Sequence, residues 1–289
     1  MKKTILIPEE NNINTFLEKR DKENLFLTND EITKKIDDYI EKNYSILKPK
    51  LKSIIDNAIK KNKKILLYGD YDVDGCGSAT IIYKFLQSLG IQNIDTIFPN
   101  RGDGYGINLE LFDKNIYDIF IFCDCGISDV NNLKQIKTDR NNIILIDHHT
   151  ENKEVNKYID VLFKPNDVNI STGGLAYLFT EFLNKDYCRN YENLSSYAGL
   201  TQLSDMVELK GISYLIAKLG YNNLIDNENT KNIVNQIKTK KDIISSQFLV
   251  FKIIPVLNAI SRMTSNSKML FDVLNGSFKD IQQIESINK

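Results

Sequence analysis

The sequence predicts an α/β fold, a parallel β-sheet with helices on both faces, followed by a helical extension. Three observations carry this. Short apolar runs recur between residues 65 and 163, separated by helical or polar stretches, the texture of strands buried on both faces. Several of these runs end in acidic residues, and in an open parallel sheet functional groups gather beyond the carboxyl ends of the strands. After residue 170 the apolar spacing is helical throughout. The length suits one large domain or two moderate ones. We divide the chain into an N-terminal helical segment (1–60), an α/β core (61–210) and a C-terminal helical extension packed on that core (211–289), with no internal repeat and no low-complexity linker.

In chain order, the first sixty residues are expected to be mostly helical. Ile32, Ile36 and Ile40 step by four, with Tyr39 alongside. Pro49 suits the first turn of a second helix. Leu51, Ile54, Ile55, Ala58 and Ile59 give that helix one apolar stripe, and a lysine run over 60–64 closes it. Strands are expected at 65–68, 94–98, 117–123, 143–146 and 161–163, with a helix over 79–89 between the first two. A helix over 173–183 carries Leu175, Leu178, Phe179 and Phe182 on one side. Further helices are expected at 191–204, 211–219, 230–238, 246–260 and 267–275, with Pro255 starting or kinking one of them.

Composition narrows the function classes. Hydrophobic content of 42% with 10% aromatics suits a soluble protein with a substantial core. With 37 basic and 38 acidic side chains, net charge −1, the overall field does not attract nucleic acid, which leaves a local basic groove as the route to such binding. No apolar run approaches the roughly 20 residues that cross a membrane, and the apolar part of the N-terminus is too short for a secretory signal. The expectation is a cytoplasmic protein with no membrane partner. Four cysteines are too few for a disulfide framework in a chain this long. Cys123 and Cys125 flank Asp124, and on a strand they would share the face opposite it. Buried packing is expected for these and Cys76. A zinc site made of the three and a histidine is the alternative, but C-x-C is not a common structural-zinc spacing.

The only two histidines stand side by side in Asp147-His148-His149, directly after the run 143–146. Imidazole serves metal binding and proton transfer near neutral pH. Two other predicted strands also end in acids: the first in Asp70-Tyr71-Asp72-Val73-Asp74-Gly75, the third in Asp124. Neighbouring parallel strands would bring these ends together, and divalent cations would remove the repulsion among them. Asp70, Asp72 and Asp74 alternate, so an extended chain would point them the same way. Gly75 and Gly77 would let the backbone turn and start a helix whose free N–H groups suit a phosphate, with Ser78 a candidate phosphate contact beside them. Carboxylates with an imidazole suit Mn2+ or Mg2+ better than zinc. Two such ions a few ångströms apart clamp a phosphodiester for hydrolysis.

These residues carry a resemblance. The segment from Tyr68 to Gly75 resembles the first motif of the DHH phosphoesterase superfamily, and Asp147-His148-His149 is similar to the triplet that names it. Within that superfamily the chain resembles the RecJ-like single-strand-specific exonucleases. The segment from Pro99 through Arg101 to Asn108, with Gly104-Tyr105-Gly106, is similar to their arginine and Gly-Tyr-Gly segment. Asp124-Cys125-Gly126-Ile127-Ser128 resembles a further motif, Ser171-Thr172-Gly173-Gly174 a helix start, Ser204-Asp205-Met206 the fourth motif, and Pro255 to Met263, with Asn258 and Arg262, a last segment. The match runs in order from about 65 to 275.

The resemblance implies roles. Asp70, Asp72, Asp74, Asp124, His148 and Asp205 would be metal ligands, with Asp124 bridging and Asp147 orienting from behind. Asp72, Asp74, Asp124, His148, His149 and Asp205 would make up the catalytic set, His149 meeting the scissile phosphate or the leaving group. Arg101, Arg262, Tyr105, Asn258 and Ser78 would contact substrate, the arginines as phosphate clamps. It implies two Mn2+ or Mg2+ ions, single-stranded nucleic acid as substrate, DNA above RNA, and 5′ to 3′ exonucleolytic hydrolysis by a two-metal mechanism. Alternatives are a phosphodiesterase for short oligonucleotides, cyclic dinucleotides or pyrophosphate, and a non-catalytic replication or interaction protein. Three departures stand out: Tyr68 where some relatives have histidine, Ser261 where glycine is usual, and a chain expected to hold the catalytic domain only. The DHHA1 and OB-fold domains of RecJ-like enzymes are not expected in it, and a separate protein supplying the substrate-gripping half is a candidate partner.

Overall fold

The computed structural model describes residues 24, 26–166, 169–188, 193–263 and 268–277, Arg262 and Met263 by backbone alone. Five strands, β1 (Ile65–Gly69), β2 (Ile94–Ile97), β3 (Ile119–Cys123), β4 (Asn142–Ile146) and β5 (Val161–Phe163), form one all-parallel sheet. Their order is β2-β1-β3-β4-β5. Each falls within one residue of a predicted apolar run, except β3, which starts two residues later than expected. Every residue of β1 and β3 is buried, which is why these runs are apolar without interruption. The two-residue period still sorts them. Ile65, Leu67, Ile119, Ile121, Ile144 and Ile146 enter one core, while Leu66, Tyr68, Phe120, Phe122, Ile143 and Leu145 enter the other.

Helices cover both faces, unevenly. The first core is covered by the helices Asn29–Tyr44, Lys48–Lys61, Val73–Ser88 and Thr172–Tyr187, through side chains such as Ile36, Leu51, Phe85 and Phe179. The second is covered by the short helix Val130–Ile136 and two 3-10 turns, Leu109–Leu111 and Lys153–Lys157. Thr28 caps the first helix in a capping box with Glu31, and Pro49 sits in the first turn of the second, where its missing N–H costs nothing. Tyr44 ties the N-terminal helices to the sheet: its ring stacks on Phe163 at 4.0 Å and its hydroxyl donates to the Lys164 carbonyl at 3.0 Å. Of the helical expectation for the first sixty residues, 1–23 lie outside the described residues.

The C-terminal helices Ser195–Ser204, Ile212–Asn222, Glu228–Ile237, Ile254–Met263 and Lys268–Asn275 enlarge the same core, which runs from Ile32 to Leu274. Phe271 closes it, edge-on to Tyr83 at 5.4 Å and tilted against Phe98 at 5.0 Å. Pro255 leaves the expected mark. Immediately before it, Leu249–Ile253 is π-helical, and the Ile254 N–H reaches the Leu249 carbonyl five residues back. No described helix is long and apolar enough to cross a membrane.

One boundary differs with consequences. The helix expected from residue 79 starts at Val73. Glycines and Asp74 hide its first turns from the apolar period, yet Asp72 caps it strongly, its Oδ1 accepting from the N–H groups of Asp74 (2.9 Å) and Gly75 (3.0 Å). These N–H groups are therefore satisfied by Asp72 and not free for a phosphate. The glycines serve close approach rather than a turn. A Cβ on Gly75 would lie 2.5 Å from the Asp70 carbonyl oxygen, and one on Gly77 2.5 Å from the Thr201 methyl.

Candidate metal centre

The register brings three strand ends level. Gly69 pairs with Cys123, and Cys123 with Ile146, so the next residues, Asp70, Asp124 and Asp147, sit side by side. The ladder continues one step into each. The Asp70 N–H donates to the Cys123 carbonyl (3.2 Å), Asp124 to Ile146 (3.0 Å) and Asp147 to Phe163 (3.2 Å). This lies where the strand order reverses between β1 and β3, the usual place for a site in such a sheet.

Other elements complete the cluster. Asp72 and Asp74 arrive on the first turn of the Val73–Ser88 helix, and Asp205 ends the Ser195–Ser204 helix. Asp74 therefore converges with its neighbours through a helical turn, not through the extended alternation expected from its spacing. Three groups of potential ligand atoms, each within 4.8 Å of one another, overlap: Asp70, Asp72 and Asp124; Asp74, His148 and Asp205; Asp124, His148 and His149. The His148 Nε2 lies 3.5 Å from Asp124 Oδ1, and its Nδ1 lies 3.7 Å from Asp205 Oδ2.

A shell of donors holds these carboxylates. Asp74 receives the Thr172 N–H on Oδ2 (2.7 Å) and the Gly173 N–H on Oδ1 (2.8 Å), so its charge faces the N-terminus of the Thr172–Tyr187 helix. Thr172 also donates its hydroxyl to Asp124 Oδ1 at 2.7 Å. Asp147, fully buried, accepts the Ile127 N–H (3.1 Å), the His149 N–H (3.1 Å) and the His149 ring at Nδ1 (2.8 Å). A carboxylate at that distance makes Nδ1 the protonated nitrogen and turns Nε2 outward. The Tyr105 hydroxyl lies 3.0 Å from the same Nδ1 and donates to the Asp124 carbonyl at 3.0 Å. Tyr68 anchors the loop behind it, donating to the Gly106 carbonyl (3.0 Å) and accepting from the Asn108 N–H (3.1 Å).

The electrostatics are those of a site built for positive charge. Burial, then the charge of Asp72, pushes Asp70 up to about 7. Burial also raises Asp124 and Asp74 well above the usual carboxylate range, with neighbouring aspartates adding to it, and raises Asp205. It lowers His148, whereas the hydrogen bond that His149 donates to Asp147 raises His149. Among the described residues no lysine or arginine pairs with Asp70, Asp72, Asp74, Asp124 or Asp205. Asp70 Oδ1 is buried with no hydrogen-bond partner among the described residues, an orphan acceptor that a cation would satisfy. Carboxylate oxygens joined by imidazole nitrogen fit Mn2+ or Mg2+.

The remaining candidates fall in different places. Arg101 is exposed, its guanidinium 5.8 Å from the ring centre of Tyr71, between Asp70 and Asp72 in the chain. Asn258 is half-buried on the Ile254–Met263 helix, its carbonyl accepting from the Ser261 hydroxyl at 3.1 Å. The side chain of Arg262 lies outside the described residues. Ser78 is a correction. The early helix start puts it in the second turn, fully buried, with its hydroxyl bonded to the Gly75 carbonyl at 2.9 Å, so it has no surface for substrate. The cysteine expectation is corrected in part: all three are buried, but Cys123 packs in the first core and Cys125 in the second. Asp124 between them takes a left-handed backbone, φ +64°, which breaks the strand alternation.

Sequence reasoning missed Thr172, whose signal was the Ser-Thr-Gly-Gly start before an apolar run. Because it steadies Asp124 and Asp74 at once, Thr172→Val removes one of its two contacts. Mn2+ affinity is expected to fall about 10-fold, the usual effect of losing a hydrogen bond to a ligand, with the metal-free fold retained. Mn2+ titration followed calorimetrically checks this.

Comparison with known proteins agrees with the geometry. Residues 64–204 match the family described as DHH family, N-terminal domain. The single-stranded-DNA-specific exonuclease RecJ of Bacillus subtilis is 28% identical over 225 residues, 72% of this chain and 28% of that protein. The RecJ of Thermus thermophilus is 31% identical over 104 residues, 35% of this chain and 16% of that protein. The chain thus spans under a third of the length of these curated relatives. A crystal structure of exonuclease RecJ bound to manganese superposes with a TM-score of 0.69 at 21% identity, over 81% of this chain and 62% of that one. At that identity the likeness shows the fold.

Proposed function

Since the chain carries a DHH-family N-terminal domain with the fold of RecJ, we propose that it is a metal-dependent phosphodiesterase that removes nucleotides from the 5′ end of single-stranded DNA. One observation supports this above the rest: three ligand sets are chained together, Asp124 linking the set of Asp70 and Asp72 to that of His149, and His148 linking the latter to the set of Asp74 and Asp205, in a cluster of carboxylates that meets no lysine or arginine among the described residues. Mn2+ or Mg2+ held there would supply the positive charge that phosphodiester hydrolysis needs on its attacking and departing oxygens.

The chain's own residues divide the work. Asp124 belongs to one set and its Oδ1 lies 3.5 Å from His148 Nε2 of the other, so it would be the ligand shared between the two cation positions. Asp70 and Asp72 complete one, and Asp74, His148 and Asp205 the other. Asp147 fixes the His149 ring, whose outward Nε2 holds a proton for the departing oxygen, consistent with the raised affinity of this imidazole for protons. Arg101 grips a substrate phosphate from the exposed rim. Arg262 and Asn258 are assigned to phosphate contact by the same family resemblance.

A second substrate class, short oligonucleotides, is favoured by the balanced charge of 37 basic against 38 acidic residues. Rates on labelled single strands of two to thirty nucleotides, with Mn2+, separate the two. We expect turnover to rise with length and to begin at the 5′ end. A maximum at dinucleotides would establish the short-substrate reading, and no turnover at any length would overturn both.

A further inference from the structure

Met206 follows Asp205 directly and is unusual twice over. Its backbone is left-handed, φ +53°, and its side chain is 69% exposed. Position and conformation are those of the residue that terminates a helix, where glycine is the ordinary choice because it carries no Cβ penalty. A methionine here spends backbone energy to hold a large apolar group in water. Packing does not explain this, since the side chain is largely uncovered.

The location suggests what the exposure is for. Asp205 Oδ2 is 3.7 Å from His148 Nδ1, the His148 and His149 rings are 4.5 Å apart, and the Tyr105 ring is 5.3 Å from His149. Asp205, the chain neighbour of Met206, and Tyr105, which is 50% exposed, therefore stand at opposite ends of a run of neighbouring side chains through His148 and His149. Tyr105 is held by its two hydrogen bonds, and Met206 leaves the helix end in a fixed left-handed backbone conformation. Apolar and aromatic groups flanking a phosphate site match a nucleotide whose base is not stacked in a duplex. A polarizable, unbranched thioether adapts to any base face.

We propose that Met206 is a substrate-contact residue that presses on an unstacked base of the nucleotide whose phosphate occupies the cluster. The proposal rests on the phosphodiesterase reading for the phosphate's position, but its test does not require turnover. Fluorescence anisotropy with Ca2+ in place of Mn2+ measures binding of a labelled oligothymidylate and of an abasic strand of equal length. Wild type should bind the base-bearing strand at least about five-fold tighter, within the usual worth of one stacked base. Met206→Gly should lose that preference while its melting temperature rises about 2 °C, because glycine relieves the left-handed backbone. Met206→Leu should keep the preference. A glycine variant that retains it, or a wild type that shows none or binds neither strand, overturns the contact. Mn2+-dependent hydrolysis of the same strands is scored separately: turnover without base preference removes Met206 and leaves the phosphodiesterase standing, and base preference at Met206 without turnover does the reverse.

Discussion

Asp124→Asn is expected to lower kcat at least about 10^3-fold, some 4 kcal/mol of transition-state stabilisation, while raising the stability of the metal-free protein. The substitution isolates charge. Asparagine tolerates the left-handed backbone at φ +64°, which alanine adopts only with strain. Its side-chain oxygen still accepts the Thr172 hydroxyl, now 2.7 Å from Oδ1. What disappears is a buried negative charge facing Asp74, Asp72 and Asp147, the neighbours that raise Asp124 above the carboxylate range after burial itself. On the proposed reading Asp124 would serve two cation positions and could not be spared, yet without cations the same charge only repels. Turnover with Mn2+ and thermal melting in EDTA at pH 8 check both halves. Wild-type turnover in the variant would remove Asp124 from the chemistry. A melting temperature below wild type would mean that the carboxylate is not destabilising.

The second large effect is a pH dependence that reverses when metal is added. Asp70 is raised to about 7, against roughly 3.9 in an unfolded chain. The folded state therefore holds a proton that the unfolded state releases, and stability falls as pH rises from about 4 to about 7. For Asp70 alone this amounts to ~4 kcal/mol, and Asp74 and Asp124 act in the same direction. Asp118, Asp160 and Asp242 have the opposite shift, so their contribution is lost only in acid, below the window considered. In EDTA the melting temperature should drop by about 10 °C between pH 5 and pH 8. Mn2+ bound at the cluster would displace those protons, so its stabilising effect should grow over the same interval, reaching about 2.7 kcal/mol at 100-fold excess over its dissociation constant. Asp70→Asn should flatten much of the slope. An EDTA curve that is level or rises with pH would contradict a proton-holding acidic cluster.

Much of this centre was legible before any coordinates. The runs 65–68 and 143–146 are apolar at every position because their strands are covered on both faces, and an aspartate stands two residues beyond the first and one beyond the second. That pattern survives in a linear sequence because it is local. What stayed hidden depends on contacts between distant segments. Thr172 looks like an ordinary helix start until the fold sets its N–H and hydroxyl against Asp74 and Asp124. The start of the Val73–Ser88 helix is obscured because Gly75 and Gly77 were selected for close approach to Asp70 and Thr201, not for helix propensity. Ser78 was misplaced for the same reason. Tyr68 departs from the histidine of some relatives, and its hydroxyl fastens the loop that carries Tyr105. Cys125 lands across the sheet from Cys123 because one residue, Asp124, leaves the extended conformation, an event with no signature in spacing.

Asp74 and Asp70 are bound into the molecule very differently. Both oxygens of Asp74 receive backbone N–H groups from the helix that begins at Thr172, whereas Asp70 keeps an oxygen that no protein group meets. On the proposed function the first would be mortar as well as machinery, and the second machinery only. Descendants that abandoned the chemistry would shed Asp70 early and carry Asp74 onward as a relic, so the order in which acids vanish dates the loss of activity.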